Sequence, residues 1–136
     1  MTPRITANPL RPRSEAEQLL AVQLEQAGIY YEREVMFVPE EWCRHYGFLT
    51  PTGRPRKWRA DFLVHPGDIL IEVEGGLYVV GRHSRGKGYE ADLDKYNCAV
   101  ELGYTVLRYS PRQINDGSAL EQIRRILSKK EDTRVA

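Results

Sequence analysis

Two short alternating segments joined by a tight turn constrain the fold of this chain most strongly. The segments are KWRADFLV (57–64) and ILIEVEG (69–75), and the residues between them are HPGD. Each segment alternates apolar and polar side chains with the period of two that is typical of a half-buried strand. Because Pro, Gly and Asp favour turns, the pair predicts an antiparallel β-hairpin.

The alternation also predicts which side chains share a face of the hairpin. The apolar face contains Trp58, Ala60, Phe62, Val64, Ile69, Ile71 and Val73. The opposite face contains Lys57 and Arg59, and it also contains three carboxylates, those of Asp61, Glu72 and Glu74. Burial of the apolar face leaves these carboxylates no freedom to turn away from one another. Since like charges that close repel, we expect a cation between them.

Helical periodicities flank the hairpin on both sides. Ser14 and Glu17 form a capping box that opens a helix ending at Gly28, and the strand-like segment YYEREVMFV follows. Residues 39–56 predict one helical turn and then a Pro/Gly/Arg loop, which is either a functional insertion or a flexible flap. We expect the loop to place Trp42 and Tyr46 either on a substrate base or in packing contacts.

After the hairpin the pattern predicts a helix over 89–103, the strand YTVLRY, and a last helix that starts at Ser118 with Glu121 in a second capping box. The predicted order is αβββαβα, an α/β fold whose central mixed sheet is flanked by helices. The 136 residues fit one domain, which we place at 14–130, with an extended arm at 1–13 and a tail at 131–136.

Composition excludes several classes of protein. A content of 41% hydrophobic and 29% charged residues is that of a globular protein, and no apolar run approaches the roughly 20 residues that span a bilayer. The N-terminus has no apolar signal segment, so we expect a cytoplasmic location. Cys43 and Cys98 lack the spacing of a disulfide framework or a zinc site.

The charge distribution is more informative than the net charge of +1, which argues against a general polyanion binder. Basic residues gather at 54–59, 82–87 and 124–130, and the last of these stretches is better explained as solvated surface. Basic patches around an acidic centre fit a phosphodiester substrate. Carboxylates are the hard oxygen ligands that Mg²⁺ prefers, so Asp61, Glu72 and Glu74 are suited to hold it.

Four ordered blocks, RADFLV, IEVEGG, GRHSRGKGYEADLDKYN and LGYTVLRY, give the sequence a specific resemblance. They resemble the PD-(D/E)xK superfamily, and within it the small very-short-patch-repair-like endonucleases, including those carried by phages and prophages. The resemblance implies a restriction-endonuclease-like core and an Mg²⁺-dependent endonuclease of the bacterial cytoplasm. It also implies that Mn²⁺ substitutes for Mg²⁺ and that cleavage leaves 5′-phosphate ends.

Carried over by position, the resemblance implies that Asp61 and Glu72 are metal ligands. Glu74 stands where many members have the catalytic lysine, so it would bind metal or orient water, and Lys95 on the following helix would take the lysine's role. Glu17 matches a first-helix acid that supports the metal, although its capping box is an independent reason for its presence. Asp92 and Lys95, three residues apart on one helix face, match the acidic and basic positions of this helix in the branch. A surface ion pair explains the same spacing.

The candidate nucleic-acid contacts are Arg59 and the loop residues Arg82, Arg85 and Lys87, which suit backbone phosphates. His83 in the same loop is either a phosphate donor or base, or a hydrogen-bonding loop residue. We expect the substrate to be double-stranded or branched DNA. No DNA-reading module is evident, and a monomer would nick one strand whereas a homodimer would cut both.

Three functions remain open from the sequence. The first is a DNA endonuclease with a metal-activated water. The second is a non-catalytic DNA-binding module that kept the fold, against which the three carboxylates count because they would repel phosphate without a metal. The third is an RNase or structure-specific resolvase on the same scaffold.

Overall fold

The computed structural model describes residues 4–5, 14–75 and 87–135. In this part of the chain five strands form one mixed sheet in the order β1-β2-β3-β4-β5. The strands are β1 (Arg4–Ile5), β2 (Tyr31–Met36), β3 (Arg59–Val64), β4 (Ile69–Val73) and β5 (Thr105–Tyr109). The first three pairings are antiparallel, and β4 pairs with β5 in parallel. The hairpin predicted across HPGD is confirmed, with Phe62 opposite Ile71.

Helices cover both faces of the sheet, which confirms the predicted architecture. The helices are α1 (Glu15–Gln26), α2 (Glu40–Tyr46), α3 (Lys87–Glu101), α4 (Pro111–Asn115) and α5 (Ser118–Val135). One core cluster joins α1, α4 and α5 to Phe62 and Ile71 of the sheet. The second joins α2 and α3 to Leu63 and Leu70. None of the described helices is both long enough and apolar enough to cross a membrane.

The first helix begins and ends where the sequence predicts. The Ser14 hydroxyl accepts a hydrogen bond from the Glu17 amide at 3.1 Å, and the Glu17 carboxylate accepts one from the Ser14 amide at 3.4 Å. The helix ends before Gly28, whose φ of +71° is a left-handed conformation that glycine adopts without a steric penalty. These local signals therefore fix the first element of the core.

The second capping box predicted at Ser118 and Glu121 is wrong. The box occurs earlier, where the Ser110 hydroxyl accepts from the Gln113 amide at 3.3 Å and the Gln113 carboxamide accepts from the Ser110 amide at 2.9 Å. It opens α4, a short helix that the sequence analysis did not predict. Ser118 is instead the first residue of α5, and its amide donates to Asp116 at 2.9 Å.

The N-terminal arm, predicted to form no element, contributes Arg4–Ile5 as an edge strand paired with Val35 and Met36 of β2. The edge of a sheet presents unpaired amide and carbonyl groups that an extended segment can satisfy. The helix α5 continues past residue 130, where the sequence analysis ended the domain.

The alternation predicted for β3 is interrupted at its centre. Phe62 and Val64 pack in the first core cluster, whereas Ala60 packs in the second, with Trp58 against it. The prediction that all four share one face is therefore wrong. The interruption lies opposite Glu34 of β2, which has a φ of +53° and falls between the paired residues 33 and 35. A left-handed residue cannot continue the pleat, so the strand faces change at this point.

Candidate metal centre

Three buried carboxylates converge where the pleat is interrupted. Glu17 from α1, Glu34 from β2 and Asp61 from β3 are 5%, 2% and 5% exposed. One oxygen from each lies within 4.8 Å of the others. Three buried anions at this separation repel one another unless a cation lies between them. The all-oxygen donor set is the kind that hard divalent cations such as Mg²⁺ prefer.

The two carboxylate oxygens of Glu17 make different contacts. One carboxylate oxygen closes the capping box with Ser14, and the other accepts a hydrogen bond from Arg33 Nη2 at 3.5 Å. The Arg33 guanidinium is held over the Phe62 ring, 4.4 Å from its centroid. The capping explanation and the metal-site explanation for Glu17 are therefore compatible. Arg33 offsets only part of the negative charge of the three carboxylates.

Glu34 is the residue that the sequence analysis missed. Its left-handed backbone costs of order 1 kcal/mol for a residue other than glycine, and such conformations cluster at functional sites. Nothing local in YYEREVMFV distinguishes Glu34 from its neighbour Glu32. Only the register of β2 on β3, in which Arg33 faces Phe62 and Val35 faces Ala60, places Glu34 opposite Asp61.

Asp61 connects the centre to the end of β4. Its Oδ2 accepts a hydrogen bond from the Val73 amide at 2.8 Å. The paired residues of β3 and β4 run only from Val64–Ile69 to Phe62–Ile71, so the Asp61 side chain takes the place of a backbone acceptor where the strands separate. One oxygen of Asp61 is thereby oriented by the backbone.

A buried ion pair lies beside Asp61. Lys95 Nζ of α3 donates to Glu72 Oε1 of β4 at 2.6 Å, with side-chain exposures of 13% and 14%. Burial raises the pKa of Glu72 to about 7, which Lys95 opposes and the hydrogen-bonded carboxyl of Asp61 reinforces. The Glu72 carboxyl can therefore take up and release a proton near neutral pH.

Glu74 lies apart from the three clustered acids. Its carboxylate accepts a hydrogen bond from Arg108 Nε of β5, and its amide donates to the Tyr109 carbonyl at 2.8 Å. Of the three metal ligands predicted from the sequence, the structure brings Asp61 and Glu72 together and pairs Glu74 with a strand partner. Asp92 is exposed on α3.

The predicted nucleic-acid contacts are only partly covered by the structure. Arg59 is half-buried at the start of β3, two residues from Asp61. Arg82, His83 and Arg85 lie outside the described residues, as does the side chain of Lys87, the first residue of α3. The two cysteines are both buried in the second core cluster.

One open cleft in the described part of the chain lies away from the acidic centre. It has a volume of about 1060 Å³ and lies at the other end of the hairpin, between the HPGD turn and the C-terminal part of α5. Its lining includes Tyr30, His65 and Lys130. We place the candidate site at the acidic centre because its three carboxylates are buried and close together, an arrangement that is compatible with a divalent cation.

Comparison with solved structures finds a protein of similar fold. No protein-family model matches the sequence, and no curated protein matches it. The chain is similar to a solved structure described as the homing endonuclease I-Bth0305I catalytic domain, with 20% sequence identity and a TM-score of 0.54. The similarity covers 86% of this chain and 97% of that one. At this identity the likeness shows a shared fold, that of a nuclease catalytic domain.

Proposed function

We propose that this protein is a metal-dependent endodeoxyribonuclease that hydrolyses DNA phosphodiester bonds and leaves 5′-phosphate ends. The observation that carries the proposal is the cluster of Glu17, Glu34 and Asp61, three buried carboxylates next to a Glu72–Lys95 pair. The fold shared with an endonuclease catalytic domain supports the same reaction class. The DNA substrate and the 5′-phosphate product come from the family resemblance.

The cluster fits Mg²⁺, with Mn²⁺ as a substitute, and we assign the ligand role to Glu17, Glu34 and Asp61. When bound, the cation would supply a Lewis acid for the phosphoryl oxygen and lower the pKa of a water molecule. This set differs from the one predicted from the sequence, since Glu34 replaces Glu74 and Glu72 takes another role.

Glu72 and Lys95 have separate roles in the proposed reaction. Glu72, with a pKa near neutrality, accepts the proton that the attacking water loses. Lys95 carries its positive charge into a largely buried position, where it stabilises negative charge that develops on the phosphoryl group. Because the two side chains already share a hydrogen bond, the proton acceptor and the cation are held side by side before substrate arrives.

The test is cleavage of supercoiled, linear, single-stranded and branched DNA, and of RNA, in Mg²⁺, Mn²⁺ or EDTA. The wild type is compared with Asp61→Asn and with Asp68→Asn, a matched control in the exposed turn of the hairpin. Metal-dependent DNA cleavage that is lost in Asp61→Asn and kept in Asp68→Asn supports the proposal. A wild type that binds DNA but cuts nothing with either metal would indicate a non-catalytic binding module. Cleavage confined to RNA or to branched DNA would indicate an RNase or a resolvase.

A further inference from the structure

Arg108 lies beside the Glu72–Lys95 pair. It lies on β5, where its register partner on the neighbouring parallel strand is Glu72. Its guanidinium carbon is 4.5 Å from the centroid of the Tyr96 ring, and Lys95 Nζ is 5.4 Å from the same centroid. Two cations therefore share one aromatic ring, next to the Glu72 carboxylate.

The two cations differ in exposure. The Lys95 side chain is 13% exposed, whereas that of Arg108 is 51% exposed. Arg108 is thus the outer member of the pair, placed to meet a ligand that approaches Lys95 from solvent. A guanidinium fork matches the geometry of a phosphate, and its weak hydration makes it well suited to bind one.

Glu74 fixes the orientation of Arg108. Its backbone amide is bonded to the Tyr109 carbonyl, so Glu74 continues the β4–β5 pairing by one residue. From there its carboxylate accepts a hydrogen bond from Arg108 Nε. This contact occupies one edge of the guanidinium, and the end formed by Nη1 and Nη2 has no hydrogen-bond partner among residues 14–75 and 87–135. Stacking on Tyr96 restrains the plane of the same group.

From this geometry we propose that Arg108 binds a phosphate of the DNA backbone adjacent to the scissile bond, with Glu74 and Tyr96 as its positioning residues. The inference rests on the proposed nuclease function and assigns Glu74 a role different from metal binding. The exposed Glu74–Arg108 pair contributes little to stability by itself, as such surface ion pairs usually do. The Glu74–Arg108 pair instead orients the guanidinium before DNA binds.

The experiment measures binding of a short DNA duplex in EDTA over a range of salt concentrations, for wild type, Arg108→Gln and Arg112→Gln. Arg112 is a matched control, because it is an exposed arginine paired with Asp116 on α4, a helix of the opposite layer. We expect Arg108→Gln to weaken binding about tenfold and to lower the slope of log K against log salt by about 0.9, the value of one lost phosphate contact. Arg112→Gln should match the wild type.

Two further measurements distinguish a direct contact between Arg108 and a phosphate from a purely structural role of Arg108. On a duplex in which a single neutral methylphosphonate replaces the contacted phosphate, wild type and Arg108→Gln should bind equally. Glu74→Gln should weaken binding less than Arg108→Gln and leave the salt slope unchanged, since it alters the orientation of the arginine and not its charge. An Arg108→Gln variant with the wild-type affinity and salt slope would overturn the proposal. If the wild type binds no duplex in EDTA, where the carboxylates carry no cation, the same variants are compared in Ca²⁺, which also takes oxygen ligands. A wild type that binds no DNA in either condition would overturn the proposed function together with this inference.

Discussion

Replacing Glu34 with glutamine should stabilise the metal-free protein and abolish its response to Mg²⁺. Two unit charges 4.8 Å apart interact by roughly 3.5 kcal/mol at an effective dielectric constant of about 20, and Glu34 has two such neighbours. Arg33 and the surrounding dipoles offset part of this repulsion. We therefore expect the free energy of unfolding in EDTA to rise by about 2 kcal/mol, or roughly 6 °C in Tm. Glutamine keeps the size of the side chain, so the packing is little changed.

The assay is thermal unfolding followed by circular dichroism at pH 8, in EDTA and during a titration with Mg²⁺. As Mg²⁺ is added, the Tm of the wild type should rise, which corresponds to a gain in the free energy of unfolding of about 2.7 kcal/mol at 100 times the Kd for Mg²⁺. The Tm of Glu34→Gln should not rise. The control is Glu40→Gln, which removes the same charge from an exposed surface pair with Arg44 and should change neither stability nor the Mg²⁺ response. A Glu34→Gln protein that is less stable in EDTA, or that still responds to Mg²⁺, would refute the assignment.

Three further outcomes follow from the same site. Lys95→Met should lower DNA cleavage at least about 100-fold while the Mg²⁺-dependent rise in Tm persists, because the ammonium acts on substrate and not on the metal. Burial raises the pKa of Glu72 to about 7 from 4.5, so its contribution to stability is complete below about pH 4.5 and is lost as the pH rises through about 7. Urea unfolding in EDTA measures this effect. Between pH 5.5 and 8.5 the free energy of unfolding of the wild type should fall by about 2 kcal/mol more than that of Glu72→Gln. The Tm of Glu74→Gln should still rise with Mg²⁺, whereas that of Glu17→Gln should not. The opposite result would support the ligands predicted from the sequence, Asp61, Glu72 and Glu74.

The elements that could be predicted from the sequence are those encoded locally. The hairpin follows from the period-two alternation on either side of HPGD, and α1 follows from Ser14, Glu17 and Gly28. The short helix α4 escaped prediction because Pro111–Asn115 is too short to show a helical period. Its start was nevertheless marked by Ser110 with Pro and Gln following.

The acidic centre was predictable only in part. Asp61 and Glu72 lie on adjacent strands of one hairpin, so their proximity follows from local alternation. Glu34 lies at the site because of the register between β2 and β3. These strands are joined by the long connection at 37–58, so local sequence does not determine their register. Glu74 was assigned to the metal because alternation places it with Glu72, but its partner Arg108 comes from β5, far along the chain. Contacts that depend on tertiary packing carry no local signal of this kind.

The interruption at Glu34 explains how groups from the two helix layers can meet at one centre. Glu17 comes from α1 on one face of the sheet, and Lys95 comes from α3 on the other. In an uninterrupted sheet the pleat would assign each strand residue to one face, so the two sets would be separated by the backbone. Because Glu34 leaves the pleat opposite Asp61, and β3 and β4 separate at Val73, Asp61 can contact Glu17 and Glu34 while it shares a hydrogen bond with Glu72. The strain at Glu34 is thus the structural condition for placing the three clustered carboxylates beside Glu72 and Lys95.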